Sequence, residues 1–188
     1  MLAAVVLTLS AALCPQTSKE KEPSGETVTL PDLGIHYTPP GGMLDKTPSD
    51  ARDARERANS YTTKAVQLLL DLSSEVGDDS PQWHQIWIFH FPRAQLANMS
   101  EWMAEAKVNA ALAGSRAVPA SQPKSAVFDG HSFLVSEFEQ SEPPITKHAR
   151  IFTTVCKSQL ISFVLVSNSA EQITAMEDSL KSLSFSGK

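Results

Sequence analysis

The chain of 188 residues predicts an α+β fold, a largely antiparallel sheet flanked by helices in a single domain. Three observations predict it. Strand-like runs come in groups joined by short turns, the pattern of hairpins and meanders. Helical patterns punctuate these groups instead of alternating with single strands. No glycine-rich turn carries a strand into a crossover helix, as in the doubly wound nucleotide-binding folds. A hydrophobic content of 41% suits one ordinary core, and at this length a second would be cramped.

Taken in order, Thr27–Leu30 alternates polar and apolar and reads as a first strand, turned by Pro31-Asp32. Gly34–Thr38 reads as a second strand, and Pro39-Pro40-Gly41-Gly42 then breaks regular structure. Thr47 can cap a helix with Pro48 at its first position and Asp50 completing a capping box. The helix body, Ala51–Tyr61, places Arg52 with Glu56 and Asp53 with Arg57 at i, i+4 spacing, a solvated and charge-laced face. Ala65–Leu72 fits either a continuation of that helix or a buried strand, and strand is preferred. Gly77–Pro81 is a loop. Trp83–Phe91 (WHQIWIFHF) carries the strongest strand signal in the chain. Its alternation puts Trp83, Gln85, Trp87, Phe89 and Phe91 on one face, and His84, Ile86, Ile88 and His90 on the other. Both faces are largely apolar, as in a central strand.

Asn98 can cap a second helix with Glu101 three residues on. Met99, Met103, Ala106, Ala110 and Ala113 form its expected buried stripe, closed by Gly114. Ser115–Lys124 carries Pro119 and Pro123 and reads as loop. Strands follow over His131–Glu139, Lys147–Cys156 and Gln159–Val166, the last two forming a hairpin around Lys157-Ser158. Ser169 and Gln172 make a capping box for the closing helix, whose buried stripe is Ile173, Met176, Leu180 and Leu183.

The N-terminus reads differently. Leu2–Leu13 (LAAVVLTLSAAL) holds no charge, proline or glycine, and its length matches the apolar region of a signal peptide, well below the ~20 residues that span a bilayer. The expected organisation is therefore a signal peptide over 1–14, a disordered spacer over 15–26 and a single α+β domain over 27–188, exported to a periplasm or secreted. Ser10-Ala11-Ala12 offers small residues for cleavage. Ala11-Ala12-Leu13-Cys14 resembles a lipoprotein box with bulky Leu13 at the small-residue position, so Cys14 is the candidate lipidation site and the one expected route to a membrane. Loss of the leader would leave Cys156 as a lone cysteine, without a disulfide framework or paired zinc spacing. A small apolar role near a hairpin end is expected of it.

The layout resembles the PsbP-like and DcrB-like exported α+β domains. The resemblance rests on Gly34–Pro40 (GIHYTPP), on the hairpin Ile151–Val166 and on the closing Asp178–Phe185 (DSLKSLSF). It spans roughly residues 27–186 by order of elements, with the charged stretch 43–61 as a departure. The resemblance implies an accessory or binding module without catalytic residues.

Candidate chemistry is sparse. Gly130-His131-Ser132 echoes the G-x-S-x-G nucleophile elbow, but Leu134 stands where the elbow needs glycine and the serine continues into a strand. His84 and His90 share a strand face about 20 Å apart, too far for one metal ion. His36, His131 and His148 lie near strand starts, where a fold could bring them together. Trp83 and Trp87 are expected in the core, with stacking on a sugar or aromatic ligand the alternative. Met99 and Met103 are expected in the core as well. Asn98-Met99-Ser100 is a glycosylation sequon for a eukaryotic secretory route only. Asp78-Asp79 lie in a loop with no pocket to tune them. The 8 glycines build no phosphate loop, and a net charge of −5 without a Lys/Arg cluster argues against nucleic acid.

The expectation is an exported, non-catalytic module with no metal or cofactor, binding a partner protein or a small ligand. One alternative is a small hydrolase or metal-dependent enzyme around His131 and Ser132. Another is a membrane-tethered structural lipoprotein.

Overall fold

The computed structural model describes residues 25–48 and 66–186. The leader, Cys14 and the charged helix expected over 51–61 lie outside them.

Two sheets form. A small one joins β1 (Val28–Leu30), β2 (Ile35–Tyr37) and the C-terminal β11 (Ser184–Phe185) in the order β1-β2-β11. The large sheet contains β3 (Leu44–Asp45), β4 (Gln67–Ser73), β5 (His84–Pro92), β6 (Val118–Pro119), β7 (Lys124–Phe128), β8 (His131–Glu142), β9 (Ile145–Cys156) and β10 (Gln159–Ser167). Its order is β3-β4-β5-β10-β9-β8-β6, with β7 also paired to β8. Every pairing among the described residues is antiparallel. Within the described residues the preference for strand holds as β4, Gln67–Ser73, and so does the central place of Trp83–Phe91: β5 sits between β4 and β10.

Turn chemistry sets the registers. Asp129-Gly130 (φ 46° and 77°) joins β7 to β8, and Lys157-Ser158 (φ 45° and 61°) joins β9 to β10. Positive φ at both central positions is the type I′ geometry that matches strand twist. Gly34 (φ 66°) closes the turn before β2, where a Cβ would lie 2.0 Å from the Ser186 carbonyl. Only glycine lets the C-terminal strand seat there, with Ser186 N–H donating to Gly34 O at 2.6 Å.

Helix α1 (Glu101–Ala113) packs across β8, β9 and β10 on one face of the large sheet. Helix α2 (Ala170–Ser179) and the small sheet cover the other. The main core lies on that second face, where Ile86, Ile88, Phe152 and Phe163 meet Leu33, Tyr37 and the buried stripe Ile173, Met176, Leu180 and Leu183. Tyr37 reaches across to donate or accept at Ser179 Oγ, 2.7 Å away, and its ring meets Phe163 edge-on at 5.7 Å. Burial drives the Tyr37 phenol well above its ordinary range, against the opposing pull of Ser179. Arg150 ties this face together by pairing with Glu137 of β8 and Glu177 of α2. Among the described residues no helix is long and apolar enough to cross a membrane.

Five expectations are corrected. Helix α1 is capped by Ser100, whose hydroxyl accepts from Met103 N–H at 3.3 Å, and not by Asn98. Its buried face is Ala104, Val108 and Asn109, while Met103 is exposed and Met99 only half-buried. The stripe of methionines and alanines was out of phase because the helix turns a polar Asn109 inward, which apolar periodicity ignores. Ser169 caps α2 without a side-chain hydrogen bond, since Gln172 Oε1 accepts instead from Ser167 Oγ. The expected loop 115–124 contains β6 and runs into β7, both pinned to the long β8. At the start of the expected charged helix, Thr47 Oγ1 accepts from Asp71 N–H at 2.9 Å, so the hydroxyl extends the β3–β4 ladder.

Acid should weaken this core in two stages. His90 is fully buried beside Gln159 Oε1 at 3.0 Å, and burial holds its imidazole below the ordinary 6.5 against the upward pull of that hydrogen bond. Below pH 6.5 the unfolded chain takes up a proton that the folded chain refuses, so stability falls as pH drops from there. Glu137 is shifted in the same direction: Lys124 foremost, then Ser121 and Arg150, hold its carboxyl below 4.5 against the opposing effect of burial. Its contribution is present above 4.5 and is lost as pH falls through the lower folded value. Thermal melting between pH 7 and about pH 3 checks both stages. A His90→Asn variant should flatten the upper one, and a wild-type midpoint unchanged between pH 6.5 and about pH 5 would contradict it.

Candidate functional site

A cleft opens on the α1 face because the helix is shorter than the strands beneath it. Thirteen residues of helix cover about 20 Å, whereas the twelve residues of β9 extend about 40 Å. α1 crosses the sheet with Ala104 and Val108 over Leu160 and with Asn109 over the middle rows, then stops at Gly114. Beyond that stop the sheet continues uncovered by α1.

Two cross-strand rows form the floor. Trp87, Val164 and Ile151 make one across β5, β10 and β9. Gln85, Val166, Ala149 and Phe138 make the next, reaching β8. Trp83 closes one end, positioned by its carbonyl, which accepts from Ser167 Oγ at 2.9 Å and Asn168 N–H at 3.2 Å. Leu112, Ala113 and Ala117 form the wall contributed by the helix end. The hollow has a volume of about 240 Å³. It exists because three of the residues facing it, Ala113, Ala117 and Ala149, stop at Cβ.

The mouth is polar. Gln140 and Lys147 are direct cross-strand partners on β8 and β9, so their side chains share this face. Lys147 Nζ stands 5.5 Å from the centroid of the Trp83 ring, within cation–π range, and 3.3 Å from Glu142 Oε2. Gln140 Nε2 donates to Glu142 Oε1 at 2.5 Å. The hydrogen bonds from Lys147 and then Gln140 hold the Glu142 carboxyl below the usual carboxylate range.

A larger hollow of about 670 Å³ runs beside β1, lined by 25–29, the Pro39–Met43 turn and Leu72. Six of its thirteen lining residues are glycine or proline, and its polar side chains, Glu26, Thr27, Thr29 and Asp45, stand without an aromatic wall. The tryptophan cleft is smaller but combines aromatic walls with convergent hydrogen-bond donors, the composition of a ligand site.

The sequence-derived candidates scatter. His131 stacks on Phe185 with ring centroids 3.9 Å apart. Ser132 is the next residue on β8, so its side chain leaves the opposite face of the sheet. The two therefore cannot form a Ser–His pair. His36 lies by the same C-terminal strand, its Nε2 3.4 Å from Ser186 Oγ. His148 sits beside Glu139 at 3.4 Å, eight positions along β8 from His131 and thus about 26 Å away. Two of the three histidines thus flank β11 and the third does not join them. Among the described residues no group of three or more His, Cys, Asp or Glu could hold a metal ion. Cys156 is buried at the β9–β10 hairpin end, its thiol pushed up by burial and donating to Leu33 O at 3.5 Å. The small-apolar expectation describes it well.

Trp83 is buried as expected, but Trp87 is only half-buried and faces the cleft. Lys147, Gln140 and Ala149 were missed from sequence. A lysine and an alanine two apart at the start of an otherwise buried strand were the available signal.

No protein-family model matches the chain. No curated protein matches it either. Solved structures do. The cyanobacterial PsbP protein, CyanoP, of Synechocystis sp. PCC 6803 is similar over 85% of this chain and 91% of its own, with 13% identity and a TM-score of 0.53. The fold is PsbP-like. PA94, a Pseudomonas aeruginosa protein of unknown function, is similar over 79% of this chain and all of its own, with 10% identity and a TM-score of 0.51. A Bacteroides thetaiotaomicron structure is similar over 87% of this chain at 9% identity and a TM-score of 0.52, and this chain spans 49% of its length. At these identities the PsbP-like likeness concerns the fold.

Proposed function

We propose that this chain is an exported, non-catalytic binding module whose ligand site is the Trp83–Trp87 cleft. The observation that carries the reading is the cleft itself: a concave, largely apolar hollow at the end of α1, lined by Trp83, Trp87 and Phe138 with alanines leaving room between them and donors at its mouth. The leader-like Leu2–Leu13 segment supports export. The separation of His131 from Ser132 across the sheet supports a binding role over hydrolysis.

Indole N–H resonances of the full chain test the site, because its 3 tryptophans are differently placed. Titration with the neutral probe 3-phenylpropionamide should shift Trp83 and Trp87 and leave Trp102, which is 58% exposed at the start of α1, unmoved. Ala149→Leu fills the floor at a half-buried position and should abolish the shifts while leaving the melting midpoint close to wild type. Ser132→Ala and His131→Ala should bind the probe as wild type does. Equal binding by Ala149→Leu, or a shift of Trp102 alone, would sink the assignment.

A further inference from the structure

The mouth of the cleft already holds a carboxylate, and it belongs to the protein. Lys147 Nζ and Gln140 Nε2 converge on the two oxygens of Glu142 at 3.3 Å and 2.5 Å. The pair comes from directly opposed positions on β8 and β9, so backbone register fixes its spacing. Lys147 is further positioned by the Trp83 ring beneath it. A convergent donor pair of this kind recognises one ligand chemistry best: an anionic group with two acceptor oxygens. Behind it lies a hollow of about 240 Å³, just under the roughly 300 Å³ where pockets for drug-sized ligands begin. Trp83, Trp87 and Phe138 line it together with Ala149, and aromatic walls of this kind suit a single planar ring better than a branched or strongly polar body.

We propose that the cleft takes a compact aromatic carboxylate, its ring against Trp87 and its carboxylate received by Lys147 and Gln140 in place of the Glu142 side chain. The assignment rests on the cleft being a ligand site and adds the class of ligand. Glu142 then acts as an internal competitor. Its side chain is 39% exposed, so it can swing to water when an outside carboxylate arrives, and Lys147, at 27% exposure, keeps a partner throughout.

The test compares 3-phenylpropionate with 3-phenylpropionamide on the full chain, with dissociation constants read from the Trp83 and Trp87 resonances. The carboxylate should bind about tenfold tighter, the worth of one charge-assisted hydrogen bond at a partly exposed site. Added salt should narrow the difference. Lys147→Met should bring the two probes level. Glu142→Gln should tighten the carboxylate several-fold and leave the amide unchanged, which a purely structural role for Glu142 would not do. Amide binding as tight as carboxylate binding, or Glu142→Gln weakening the carboxylate, overturns the ligand class while leaving the cleft as a site. Absence of binding by both probes overturns the class and the site together.

Discussion

Replacing Asn109 with alanine should lower stability by about 3 kcal/mol, read as a drop of roughly 10 °C in the melting midpoint. Asn109 is fully buried where α1 crosses the sheet. Its Nδ2 donates to Ser136 Oγ at 3.0 Å and Leu134 O at 3.3 Å, and its Oδ1 accepts from Thr153 Oγ1 at 2.5 Å. Thr153 in turn lies 2.6 Å from Ser162 Oγ. One helical side chain thus satisfies polar groups from β8 and β9 and, through Thr153, reaches β10. Alanine leaves those groups buried and short of partners, and unpaired buried polar groups cost more than the bond itself returns. A second variant separates this cause from lost volume. Asn109→Ala combined with Thr153→Val and Ser136→Ala removes the two side-chain hydroxyls that Asn109 contacts and should recover part of the loss. A triple variant less stable than the single one would show that packing, not polar satisfaction, sets the effect.

Phe163→Ala should cost about 4 kcal/mol. Phe163 has no exposed surface and stands on the α2 face of β10, between Ile88 of β5 and Phe152 of β9. Its ring meets Tyr37 at 5.7 Å and Phe133 at 6.2 Å, both edge-on. It therefore joins the large sheet to the small one. Truncation removes the transfer energy of the ring and leaves a cavity bordered by two aromatic rings that strands hold in place, so collapse is limited. Val127→Ala provides the contrast: at 66% exposure on β7 it should stay within about 0.5 kcal/mol of wild type. Urea unfolding checks both, and equal midpoints for the two variants would contradict the placement of the core.

The strands were legible because their signal is local. Alternation and β-branched or aromatic residues marked β5, β8, β9 and β10, and the Asp129-Gly130 turn marked a boundary. The buried residues of the closing segment were legible for the same reason: Ile173 and Met176 lie on the inner face of α2, and Leu180 and Leu183 stay buried through the 3-10 turn that follows it, Leu180–Ser182. The orientation of α1 was not. Its inward residue is an asparagine whose partners come from β8 and β9, and whose network extends to β10, distant segments that no window on the helix contains. Trp102 and Met103 look like core by type and yet face outward. The capping box at Ser169 and Gln172 failed because Ser167, two residues earlier, competed for the glutamine. β6 and β11 are two residues each and owe their pairing to β8 and β2, not to their own sequences.

The cleft shows the same division. Trp83 and Trp87 read from sequence as core with a stacking site as the alternative; both line the hollow, Trp83 buried and Trp87 half-buried. What makes a hollow beside them is the mismatch between the length of α1 and that of the strands it crosses, together with three alanines from separate elements. Those are properties of assembly. The donor pair Gln140–Lys147 likewise depends on the β8–β9 register, which the turn at Pro143-Pro144 sets from outside either strand.

Native mass spectrometry of the full chain purified from its own host tests most directly whether the cleft is a ligand site. The wild-type protein should carry a small-molecule mass that Ala149→Leu, purified in the same way, does not carry. The same added mass on both proteins, or a bound partner chain retained equally by both, would contradict a ligand site at the Trp83–Trp87 cleft.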